Sequence, residues 1–212
     1  VGRTFFKLSL IAVALFAVSH ADAKPRRVCD PRHSYTVTAN RQVRIYAIVH
    51  RDGPHVVWAC HLHTARRFRL GAFDPHDPDF PDHVLVRLAG RLVGSVSSYY
   101  DHYGNTKFVV VVRDVGTGTI LHRAQKEGND TFDGEANWSP SRLVMDRAGS
   151  VAWTATGNTS HTATAYVFKS DTNRWGETIA SGPDIDPRSL RRHGRTFTWN
   201  DGGAVQSARF SR

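Results

Sequence analysis

The sequence predicts an all-β fold of the β-propeller type, with about four antiparallel four-stranded blades. Three observations carry that expectation. After residue 24 no stretch holds apolar residues at i, i+3, i+4 and i+7 for three turns, the stripe an amphipathic helix needs. Apolar residues instead alternate with period two, as in Val43, Ile45, Ala47 and Val49, or in Val151, Trp153 and Ala155. Finally, the turn residues recur in a fixed order that divides the chain into comparable units. A β-sandwich made from the same hairpins is the structural alternative.

The first element is a leader. Arg3 and Lys7 open it, Leu8 to Val18 is free of charge, and Ala21-Asp22-Ala23 has the small-x-small form cut by signal peptidases. The apolar run is shorter than the roughly 20 residues of a membrane-spanning helix. Residues 1–23 are therefore expected to be a helical signal peptide, and residues 24–212 a single exported domain, secreted or otherwise extracytoplasmic. Val1 is consistent with a GTG start codon and so with a bacterial source. Cys29 follows no lipobox, and no transmembrane segment is expected in the mature form.

Four units follow. The first runs from about Ser34 to Leu70, the second from Val84 to Gln125 and the third from Ser141 to Ser181; the fourth starts near Pro187 and has three strands up to Phe210. Each has a short strand, a glycine turn and a longer strand. The turn glycines are Gly90, Gly149 and Gly194, free to take the positive φ of a tight hairpin. A second hairpin signal comes later in each unit, at Arg113 to Gly118, with Cys60 to Ala65 and Ser170 to Asn173 in equivalent places. A strand from Arg27 to Asp30 is expected to complete the fourth unit, which would close a ring and remove exposed strand edges.

This order of short strand, Gly, Val-Ala-Trp and Asp-x-x-Thr-Gly turn resembles the blades of bacterial β-propellers. Gly182 to Leu190 reads Gly-Pro-x-Ile-Asp-Pro-x-Ser-Leu, and here the chain is similar to a group of uncharacterised exported bacterial β-propeller-like repeat proteins. The resemblance spans most of residues 34–210 and implies a fold without implying an activity, because propellers host enzymes, binders and scaffolds.

Cys29 and Cys60 are the only cysteines. In an oxidising compartment such a pair is expected to bridge, closing a loop worth roughly 3 kcal/mol in the chain-entropy model. Removal of the leader takes away Arg3, Lys7 and Asp22, leaving 26 basic and 18 acidic residues and a formal net charge of +8. That charge suits an anionic envelope polymer, although Arg outnumbers Lys 23 to 5, a bias that a GC-rich genome also produces.

No Gly-x-Ser-x-Gly elbow, His-Glu-x-x-His pair, phosphate-binding Gly-Lys-Ser/Thr loop or Cys-x-x-Cys pair is present. No catalytic residue or cofactor is assigned. His61 and His63, on one face of an expected strand, can bind zinc or copper only with a third ligand. Asp74, Asp77, Asp79 and Asp82 form a candidate cation-binding loop that lacks the Gly and Glu of an EF-hand and contains three prolines. Trp153, Trp199 and Trp58 read as core. Tyr99, Tyr100 and Tyr103 read as a loop cluster suited to stacking or to packing at a blade edge.

In a propeller, the loops between units and those joining second to third strands share one face. Here they hold 13 of the 18 mature acids, against Arg51 and Lys126. The opposite turns carry Arg41, Arg66, Arg67, Arg91, Arg113, Arg147, Arg174 and Arg195. The expectation is a two-faced monomer: a non-catalytic binding or scaffold module at the cell envelope, with an unidentified ligand and no nucleic-acid partner. The alternative is a secreted hydrolase or metal-dependent enzyme using the acidic face.

Overall fold

The computed structural model describes residues 28–51, 53–73, 85–100, 106–127, 138–159, 162–171 and 176–211. These residues are all-β, and the fifteen strands among them form four antiparallel sheets. The first sheet holds β1 (Ser34–Ala39), β2 (Val43–Ile48), β3 (His55–His61) and β4 (Arg67–Phe73). The second holds β5 (Leu85–Ala89), β6 (Leu92–Tyr100), β7 (Thr106–Asp114) and β8 (Ile120–Glu127). The third holds β9 (Trp138–Met145), β10 (Val151–Thr159), β11 (Thr162–Ser170) and β12 (Glu177–Gly182). The fourth has three strands, β13 (Ile185–His193), β14 (Thr196–Asp201) and β15 (Ala204–Arg209). Within each sheet, strands lie side by side in chain order, so every pairing is a local hairpin.

The turns explain why the sequence repeats. Gly90, Gly149 and Gly194, each joining the first two strands of a sheet, have φ of +62°, +93° and +60°. At the Gly149 turn a side-chain carboxylate closes the loop: Asp146 Oδ1 accepts from the backbone N–H of Ala148 and of Ser150, both at 2.9 Å. The second turn repeats as well. Gly118 N–H donates to the Asp114 carbonyl at 2.7 Å and Ala65 N–H to the His61 carbonyl at 2.9 Å. The residue after the third strand then donates back to the first turn, Leu62 to Gln42, Val115 to Arg91 and Phe210 to Arg195.

Alternation along the strands packs the sheets face to face. Val43, Ile45 and Val57 of the first sheet meet Val86 and Val93 of the second. Val96, Val110 and Val112 on the other side of that sheet meet Leu143, Trp153 and Phe168 of the third. Val144, Ala152 and Val167 then meet Leu190, Phe197 and Trp199 of the fourth. A residue and its neighbour thus serve different interfaces, as with Leu143 and Val144. Trp153 and Trp199 are core, as expected; Trp58 is half-buried beneath the Arg67 guanidinium, 5.4 Å from the ring centroid.

Cys29 and Cys60 form a buried disulfide with a Cα–Cα distance of 5.5 Å. They pack with Tyr46 on the first sheet's outer face. Arg44 secures the segment by donating to the Cys29 carbonyl and to Asp30, the latter at 2.6 Å. This corrects the expected fourth strand of the last unit: Val28 to Asp30 is a turn tied to the first sheet, not a strand of the fourth. The disulfide ties the segment to Cys60 near the end of β3. Among the described residues, no buried cluster joins the fourth sheet to the first. Four sheets also replace the two of a sandwich.

Tyr99 and Tyr100 belong to β6, opposite Lys107 and Thr106, and so are strand residues where a loop was expected. Residues 1–23, Tyr103, Arg174 and the loop carrying Asp74, Asp77, Asp79 and Asp82 lie outside the described residues. No helix among the described residues is long and apolar enough to cross a membrane.

Candidate functional site

Two concave regions collect polar side chains. The first lies where the opening strands of the four sheets converge. A cavity of about 580 Å³ is lined from β1 by Tyr35 and Val37, from β5 by Leu85, from β9 by Ser139 and Ser141, and from β13 by Arg188. A smaller pocket of about 350 Å³ shares Val37, Leu85, Val86 and Ser141 with it and adds Arg87 and Arg142. Tyr35 and Val37 are each 43% exposed, because β1 is a sheet edge and its side chains border this space.

The motif Gly182 to Leu190 shapes one wall. Ile185 and Leu190 within the motif are buried and anchor β13 in the core. Between them the pairing with β14 shifts register from Asp186 to Arg191. Asp186 Oδ1 accepts the Arg188 N–H at 2.9 Å, and Ser189 Oγ donates to the Asp186 carbonyl at 2.6 Å. Such a bulge redirects a side chain without breaking the strand, and here it sets Arg188 at the cavity. Arg188 has no acidic partner among the described residues.

Arg87 lies on the seam between the second and third sheets. Its Nε–H donates to the Leu143 carbonyl at 2.8 Å, and one terminal nitrogen reaches the Val86 carbonyl at 3.3 Å. Desolvation, and then the charge of Arg142, pull its pKa below the ordinary arginine value. The Arg142 Nε is buried with no hydrogen-bond acceptor.

The second region is a groove of about 590 Å³ on the turn face, lined by Asp146, Arg147, Ala148, Arg192, Gly194 and Arg195. The buried Asp146 carboxylate already accepts turn N–H groups. Arg192 and Arg195 each spend one donor on a local carbonyl, that of Gly194 at 2.8 Å and that of Phe210 at 3.3 Å. Arg147 is exposed and has no hydrogen-bond or ion-pair partner among the described residues.

Other arginines expected on this face bond within the fold, some of them between sheets. Arg66 of the first sheet donates to the Thr117 carbonyl of the second at 3.0 Å, and Arg91 pairs with the buried Asp114 at 2.7 Å. Arg113 donates to the Gly118 carbonyl and lies over Phe68, 4.8 Å from its centroid. Such arginines contribute bonding and packing within the fold as well as charge.

His61 and His63 do come together, with ring centroids 5.7 Å apart, but His61 ends β3 and His63 lies in the following turn. His61 Nδ1 is 2.9 Å from Thr64 Oγ1, and burial followed by the charge of His63 lowers its pKa. Among the described residues no three His, Cys, Asp or Glu side chains form a cation site. Of the expected acidic face, Glu127 ends β8 opposite Lys107, and Asp184, Asp186 and Asp201 are also described. The three aspartates lie apart from Glu127 in the chain. They gather at one end of the fourth sheet, where Ile185 pairs with Asp201 and Gly202 N–H donates to the Asp184 carbonyl.

Arg87, Arg142, Arg188 and the hydroxyls of Ser139 and Ser141 were not singled out by the sequence patterns. Their only signal was polarity at inward positions of the first strand of a unit. Comparison with known proteins finds no matching family model and no matching curated relative. The functional reading therefore rests on geometry.

Proposed function

We propose that this chain is an exported, non-catalytic binding module of the β-propeller type that attaches to an anionic polymer of the cell envelope. The observation that carries the reading is the Arg147–Arg192–Arg195 groove. It brings three cations into one concavity whose only lining acid is already bonded inside a turn. The convergence of β1, β5, β9 and β13 on one cavity, with sheets packed in chain order, favours propeller geometry. A buried disulfide is compatible with an oxidising compartment. A repeated polyanion engages several exposed arginines at once, and such binding weakens with salt.

The test is retention on isolated anionic wall polymer along a salt gradient. A variant with Arg147, Arg192 and Arg195 all changed to Gln should elute at distinctly lower salt than one with Arg32, Arg69 and Arg209 changed to Gln. Both lose the same charge. Equal elution of the two would show that net charge alone drives retention and would remove the groove from the proposal.

A further inference from the structure

We propose that the inner-strand cavity is a second and separate binding site, and that Arg87 and Arg142 there hold the phosphate group of a small phosphomonoester. Both side chains line the 350 Å³ pocket, on the first strands of adjacent sheets. Arg87 is fixed in place through Leu143, the residue beside Arg142, so the two cations are held as neighbours across the seam. Neither forms an ion pair with an acid among the described residues.

The pair is unfavourable as it stands. Like charges repel across a partly desolvated pocket, and the buried Arg142 Nε–H has no acceptor. An oxyanion in the pocket would neutralise both guanidinium groups together.

The chemistry favours phosphate over carboxylate. A planar carboxylate matches one guanidinium fork, whereas a tetrahedral dianion offers oxygens in several directions and a charge equal to that of two arginines. Ser141 adds a hydroxyl shared by both cavities. Beyond it, the 580 Å³ space has Tyr35, Val37 and Leu85 on its walls and Arg188 at its rim, a mixed surface suited to a compact organic group esterified to the phosphate.

The experiment is calorimetric titration and thermal unfolding of the full chain with inorganic phosphate, phenyl phosphate and acetate, at ionic strength held constant with chloride. Phosphate should bind and raise Tm, phenyl phosphate should bind more tightly, and acetate should do neither. Arg142→Gln should weaken phosphate binding by about tenfold or more, as expected for the loss of one charge-assisted contact. Without ligand the same variant should unfold at a higher temperature than the parent, because the repulsion is gone. Arg87→Lys keeps the charge and should weaken binding by a smaller factor.

The variant lacking the Arg147, Arg192 and Arg195 charges should keep the phosphate response. No heat with phosphate in the parent protein, an equal response to acetate, or undiminished binding in Arg142→Gln would each overturn the inference. If polymer retention persists while the phosphate response is absent, the groove reading stands and the inner site falls.

Discussion

The Thr154 hydroxyl, fully buried in β10, donates to the Pro187 carbonyl of β13 at 2.5 Å. This bond joins the third sheet to the fourth just before Arg188, and so links the packing of the core to the wall of the inner cavity. Thr154→Val keeps the shape but leaves the carbonyl without its donor, and should cost about 1–3 kcal/mol. Thr154→Ser should recover most of that loss. Denaturant unfolding of the two variants measures the difference.

Ala65 takes the place in its turn that Gly118 takes in the next sheet. Both donate to a carbonyl four residues back, and Ala65 has φ of +55°. A left-handed backbone at a residue with a Cβ costs roughly 1 kcal/mol. Ala65→Gly should therefore raise stability by about 0.5–1 kcal/mol, seen as a higher denaturant midpoint with unchanged m. A lower midpoint would show that the Ala65 methyl contributes more through packing than its backbone costs.

The Cys29–Cys60 bridge spans 31 residues and covers one face of Tyr46. Replacing both cysteines with Ala should lower stability by roughly 3 kcal/mol, the loop-closure term for a ring of this size. The unpaired N-terminal segment should then become accessible to protease. Treatment of the parent protein with a reductant should reproduce the effect without further loss in the variant.

His122 is 5% exposed, and its Nε2 has no hydrogen-bond partner. Burial lowers its pKa, outweighing the opposing pull of Asp171 and Asp146. In the unfolded chain this imidazole protonates near pH 6.5, while in the folded protein it stays neutral to lower pH. The unfolded state therefore binds more protons in that window, and stability should fall as pH drops from about 7 toward the folded pKa. His122→Leu should flatten most of this slope. His61 shifts in the same direction and should leave a residual dependence.

The repeating unit was legible because local physics writes it twice over. Gly90, Gly149 and Gly194 mark turns that need positive φ, and alternation in runs such as Val151–Ala155 marks strands with two buried faces. Cys29 and Cys60 were legible as the sole pair. The roles of Arg66 and Arg113 were not, because a carbonyl acceptor or an aromatic ring in another sheet, Thr117 for Arg66 and Phe68 for Arg113, leaves no mark beside the arginine in the chain. Arg87 and Arg142 sit 55 positions apart and look like ordinary solvated charges until β5 is laid against β9.

By itself the sequence determined the all-β class, the four units and their turns, since hairpin pairing joins neighbours and depends on residues a few positions apart. Only the tertiary structure decided which sheet faces which, that the N-terminal segment is bound to the first sheet, and which arginines bond inward and which stay free. Those outcomes depend on side chains from distant units meeting in space, where burial and the supply of acceptors select among arrangements that the local pattern leaves equivalent.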